Sequence, residues 1–198
     1  MTAADEAQEL KDRLNLIESM IAEGRRTTES YGWTFILWGV AYYVAIFWAY
    51  LSQGYLAWPV TMAVAGVLTG VIIARKRCTT PATTTARALG ALWSGTGISM
   101  FIVLFSLGFS GRMDLRIFVA VICGMLGSVN ASSSMILKWK LQFACALVWW
   151  ATAIYACFGN GNFLMAVFLA ALFFCQIVFG LYGMIREARA RRQAASHA

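Results

Sequence analysis

Four long stretches of this chain carry no charge. No Asp, Glu, Lys or Arg occurs between Glu29 and Arg75, between Arg87 and Arg112, between Arg116 and Lys138, or between Lys140 and Arg186. These stretches hold 45, 24, 21 and 45 residues. An apolar helix of about 20 residues crosses the hydrocarbon core of a bilayer. The second and third stretches are therefore one span each, and the first and fourth are two spans and a turn. The expected fold is all-α: a polytopic integral membrane protein of six transmembrane helices. The composition agrees, with 60% of residues apolar or aromatic and 13% charged, against roughly 25% charged in soluble domains.

The spans read as about 33–51, 57–74, 88–110, 117–137, 141–158 and 163–185 within a membrane domain of 31–185. Gly54, the Gly111–Asp114 region and Gly159-Asn160-Gly161 break consecutive spans into three αα-hairpins. Pro59 fits the first turn of span two, where its missing N–H costs little. The hairpins carry a weak internal repeat. Each opens with a Trp in its first span (Trp38, Trp93, Trp149) and has glycines in its second (Gly66 and Gly70, Gly124 and Gly127, Gly180 and Gly183). Each also ends in basic residues. Duplication explains this, and so does the general preference of membrane hairpins for Trp, Gly and terminal Lys or Arg.

Residues 1–30 form a polar arm with no cleavable signal pattern, so the first span is expected to act as the insertion signal. Within it, 5–24 predicts a short amphipathic helix: Leu10, Leu14, Ile17 and Ile21 recur at spacings of 4, 3 and 4. Its apolar face suits docking on the bundle or pairing with a partner better than binding an anionic membrane, because acids are interspersed along it. Residues 186–198 form a basic tail.

Basic residues in short loops stay cytoplasmic. With the N-terminus inside, 14 of the 16 Lys and Arg fall on the inner side and only Arg112 and Arg116 outside. The net charge of +7 is then an orientation signal and not a nucleic-acid footprint. The expected location is the bacterial inner membrane, with both termini cytoplasmic. The expected partners are the lipid bilayer, anionic headgroups on the cytosolic side, and a protein partner or second copy.

Little in the chain can do chemistry. The one histidine is His197, and no acid lies within a span, although proton-driven transporters usually need one there. A serine hydrolase needs a His base, and no His/Cys/Asp/Glu set has metal-ligand spacing. Five cysteines, four of them within spans, include no C-x-x-C pair. They suit small apolar packing. The chain is expected not to be an enzyme and to hold no metal or cofactor.

The polar residues that do enter spans are uncharged. Span three carries Ser94, Thr96, Ser99 and Ser106; span four carries Ser128, Asn130, Ser132, Ser133 and Ser134; span six carries Gln176. They either line a polar path between spans three and four or pair helices by hydrogen bonds, each worth about 0.6 kcal/mol on average. Small residues at close-packing spacing, above all Gly66, Gly70, Gly124 and Gly127, predict helix contacts inside one bundle, or a dimer face. Trp33, Trp58, Trp139, Tyr31, Tyr55 and Tyr182 suit an interfacial aromatic belt. Two functions fit these features. One is a non-enzymatic membrane partner, scaffold or sensor working through its arm and tail. The other is a passive channel for a small uncharged solute, lined by spans three and four.

Overall fold

The computed structural model describes residues 8–17, 32–52, 56–77, 84–112 and 114–196. Every regular element among them is helical. Helix α1 covers 8–17, and α2 Gly32–Ser52, α3 Ala57–Arg77, α4 Thr84–Phe109, α5 Leu115–Leu137 and α6 Lys140–Phe158 follow. The last span is α7 (Gly161–Leu172), a π-helical segment (Phe173–Val178) and α8 (Phe179–Ser196) in one continuous rod. Six helices are thus long and apolar enough to cross a membrane, and they correspond one to one with the expected spans.

Local chemistry sets several boundaries. Asp114 caps α5, its Oδ1 accepting from the Ile117 N–H at 2.7 Å. That contact satisfies one of the donors a helix start leaves unpaired. Asn160 caps α7 in the same way, accepting from the Asn162 N–H at 3.0 Å. At the other end of α5, Lys138 adopts a left-handed conformation (φ 48°) and donates its N–H to the Met135 and Ser134 carbonyls. The chain therefore reverses into α6 with only Lys138 and Trp139 between the helices. Arg116, at the start of α5, donates to the Ala156 carbonyl at 3.2 Å. It thereby ties the first turn of α5 to the last turn of α6, where carbonyls lack helical partners.

The π segment has a geometric role. Leu164 and Gly183 are both buried, and they lie 19 residues apart. At about 100° per residue, an unbroken α-helix would turn them about 100° out of register. One wider turn between them brings both onto the same face. An α-helical periodicity alone does not predict this.

The helices pack in the order α3, α2, last span, α6, α5, α4. The most extensive contact is α5 on α6, which belong to different expected hairpins. Helix α2 lies against the last span as well as against α3. Among the described residues, α3 and α4 scarcely meet. Two aromatic chains close the centre. Phe35 links Trp93 (ring centroids 5.4 Å apart) to Phe179 (5.0 Å), and Trp139 packs on Phe179 at 5.1 Å. On the other side Tyr42, Trp58, Phe118 and Phe168 follow one another at 5.8, 4.5 and 6.4 Å. Such pairs contribute roughly 0.5–1.5 kcal/mol each beyond burial. Trp139 is buried in the core cluster and Trp58 is half-buried against it. Tyr182 remains exposed, with the Arg186 guanidinium 5.9 Å from its ring centroid. Tyr31 and Tyr55 lie outside the described residues.

Burial separates centre from periphery. In their most apolar stretches α5 and the last span are 44% buried, α3 only 11% and α4 only 6%. The outward faces carry Val40, Val44, Phe47, Ile98, Phe101, Phe105, Phe158 and Phe173, among others. A soluble monomer rarely exposes so large an apolar surface; a bilayer accommodates it. The arm behaves differently: Leu10, Leu14 and Ile17 are exposed on one side of α1, and Gln8 and Asp12 occupy the opposite side, 3.1 Å apart. Of the expected amphipathic stretch, Ile21 lies outside the described residues.

Candidate functional site

The expected polar path divides into two sets that face opposite ways. Residues 128 and 130 are two positions apart on one helix, so their side chains diverge by about 200°. Ser128 is exposed and Asn130 buried. The outward set lines an open groove of about 500 Å³ between α4 and α5, formed by Ala91, Gly95, Thr96, Ser99, Gly124 and Ser128 with two larger neighbours. Two of its hydroxyls turn back on their own helices. Thr96 Oγ1 donates to the Leu92 carbonyl at 2.9 Å, and Ser128 Oγ to the Gly124 carbonyl at 3.0 Å. Ser94 is exposed and does not line this groove.

The inward set is buried, and two of its three side-chain bonds stay within α5. Asn130 Nδ2 donates to the Leu126 carbonyl at 2.8 Å, and Ser134 Oγ to the Ala131 carbonyl at 2.7 Å. Buried Ser133 accepts from Trp93 Nε1 at 3.1 Å, a direct bond between α5 and α4. Tyr43 adds another tie, its hydroxyl donating to the Leu169 carbonyl at 2.8 Å.

The four glycines singled out from sequence differ from one another. Around Gly66, Gly70 and Gly124 an added β-carbon would meet nothing within 4 Å. At these three positions the helix has room for a β-carbon. Gly127 lies directly against the Trp150 indole, with no room for a β-carbon. The close backbone approach occurs at another pair. A β-carbon on Gly32 would come 2.7 Å from the Gly180 carbonyl oxygen, and one on Gly180 would come 2.8 Å from the Gly32 oxygen. Gly39 sits against Gln176 and Ile177 one step further along the same seam.

Three further polar side chains are buried on α6 and the π segment. Gln142 and Trp149 are 0% exposed and Gln176 is 3% exposed. Gln142, Cys145 and Trp149 share one stripe of α6, at spacings of 3 and 4. Cys175 Sγ donates to the Cys145 carbonyl at 3.7 Å, which places the π segment against that stripe. Gln142 went unnoticed in the sequence because it stands two residues inside Lys140, where an amide normally faces headgroups. The usable signal was its spacing to Cys145 and Trp149.

Among the described residues no three His, Cys, Asp or Glu side chains gather as metal ligands. Cys123, Cys145 and Cys175 are buried free thiols and Cys157 is an exposed one; Cys78 and His197 lie outside the described residues. No family model matches the chain, and no curated protein or solved structure is significantly similar to it.

Proposed function

We propose that the chain is a polytopic inner-membrane protein with both ends in the cytoplasm, and that it acts without catalysis as a membrane partner or scaffold through its arm and tail. The observation that carries this reading is the destination of its membrane-level hydroxyls and amide. Asn130, Ser134, Thr96 and Ser128 return to carbonyls of their own helices, and Ser133 joins α5 to α4. A solute path needs such groups aimed at one shared space. Here the outward and inward sets diverge. The 14-to-2 asymmetry of basic residues supports the orientation. The arm offers Leu10, Leu14 and Ile17 on one exposed face, a form suited to helix-on-helix recognition. Arg189 and Arg192 extend α8 beyond its apolar stretch, a placement suited to anionic headgroups.

The test has two arms. Vesicles containing the purified protein should pass glycerol and urea no faster than empty vesicles. Asn130→Leu should lower the melting temperature without changing that rate. A stable Asn130→Leu protein that loses a measurable wild-type flux would replace this proposal with a channel. In intact membranes, a photo-crosslinking residue at Leu14 should give a discrete protein adduct that Leu10→Asp with Ile17→Asp abolishes. Adducts to lipid alone, or to the chain's own bundle, would remove the arm as the working surface.

A further inference from the structure

The apolar residues of the arm follow a heptad. Leu10, Leu14, Ile17 and Ile21 recur at spacings of 4, 3 and 4, the alternation of d and a positions in a coiled coil. Helix α1 presents Leu10, Leu14 and Ile17 exposed on one side, with Gln8 and Asp12 on the opposite side. With Leu10 as d, Lys11 falls at e and Arg13 at g, the two positions that flank the seam. The same count puts Glu6 at g and Glu18 at e. These two acids lie outside the described residues, and the heptad alone gives their positions. The flanking charges therefore alternate in sign along the arm.

We propose that the exposed face of α1 is covered by the arm of a second copy of this chain, in a parallel, in-register coiled coil. This rests on the reading of the arm as the working surface and names its partner. Charge selects that partner. In a parallel pair each g residue faces the e residue of the next heptad on the other helix. Glu6 then meets Lys11 of the second copy, Arg13 meets Glu18, and symmetry repeats both contacts. Other arrangements bring like charges together. A slip of one heptad sets Glu6 against Glu18, and Arg13 against Lys11 and Arg25. An antiparallel pair centred on α1 sets Lys11 against Lys11 and Arg13 against Arg13. Arg13 holds Glu9 of its own helix, and both side chains are exposed, so the guanidinium gives up little in turning to a partner. The membrane favours the same geometry, because two copies inserted the same way extend their arms from the same side. A seam this short pairs weakly in free solution, and confinement to one bilayer raises its effective concentration.

The test uses the full chain in the membranes of expressing cells, with Cys78→Ser to remove the loop thiol. Oxidation with copper phenanthroline should link Leu14→Cys into a species of twice the chain's mass, or a higher multiple. Asp12→Cys, on the opposite side of α1, should stay largely unlinked. Two charge variants are then added to Leu14→Cys. Lys11→Glu with Arg13→Glu makes every charged e and g position acidic, and Glu6→Lys with Glu18→Lys makes every one basic. Each alone should cut linking roughly ten-fold, the combined worth of the exposed ion pairs it removes. Co-expressed under different tags, the acidic and basic forms should link to each other and recover the lost yield. Equal linking at positions 14 and 12 would overturn the proposal, and so would linking indifferent to the charge changes. The photo-crosslinker at Leu14 separates this proposal from the reading beneath it. An adduct with a different protein would overturn self-pairing and leave the arm as a partner surface, whereas no protein adduct at all would remove both.

Discussion

A β-carbon on residue 127 would fall within the indole of Trp150. Neither neighbour can yield, since the ring is rigid and the glycine sits in the most extensive helix pair of the molecule, α5 on α6. Gly127→Ala should therefore destabilise the detergent-solubilised protein by about 1–3 kcal/mol, the usual range for overpacking. Gly124→Ala, three residues earlier and facing open space, should change the melting midpoint little, within about 0.5 kcal/mol. Equal midpoints for the two variants would mean that Trp150 does not cover Gly127. The sequence showed that these glycines recur but not which faces they occupy. Gly66 and Gly70 have the four-residue spacing typical of close-packed membrane helices, yet a β-carbon on either would meet nothing within 4 Å. The residues that do bring backbones together, Gly32 and Gly180, are 148 positions apart, and no local pattern couples them. Asn130 illustrates the opposite case. Its cost in lipid predicted burial, and it is buried, but its amide donates to the Leu126 carbonyl of its own helix and not to a neighbouring one.

Among the elements, the spans were the most legible, because charge-free length is a direct measure of what can sit in hydrocarbon. The π segment was not legible. Its sequence, Phe173 to Val178, continues the apolar run, and its extra residue is required only by what α8 must face. That requirement is the approach of Gly180 to Gly32. Gly180→Ala should part α2 from α8 and cost about 1–3 kcal/mol, while Gly70→Ala should not. The check is a thermal melt run alongside cross-linking of paired cysteines on α2 and α8, whose yield should fall only in the first variant. The turn between α5 and α6 makes a separate point. Lys138 holds a left-handed conformation that glycine adopts without steric penalty. Lys138→Gly should leave the midpoint unchanged or raise it slightly, and a clear loss would show that the lysine side chain matters more than its backbone strain.

At the scale of the whole molecule, the matched residues of the three hairpins have different roles. Trp93 donates to Ser133, whereas the Trp149 N–H is buried without a partner among the described residues, and Trp38 is half-buried. The expected hairpins would then be unequal parts, since α3 and α4 are far less buried in their apolar stretches than α5 and the last span. The proposed orientation rests on charge and is directly measurable. Reporters fused after Gln53, Ser110 and Asn160 should read outside, and those after Thr79, Trp139 and Gln193 inside. One reporter on the unexpected side would remove a span from the topology.

The clasp between α2 and the last span also sets a schedule for synthesis. Helix α2 is translated well before the glycine seam that receives it, at Gly180 and beside Gln176. At roughly 5–20 residues per second, the ribosome needs on the order of ten seconds to supply it. For that interval Gly32 and Gly39 present a bare backbone groove to whatever shares the insertion site. The molecule cannot close hairpin by hairpin as it emerges. It has to be kept open until its final helix arrives, so a chain stopped after α7 should be handed to membrane proteolysis.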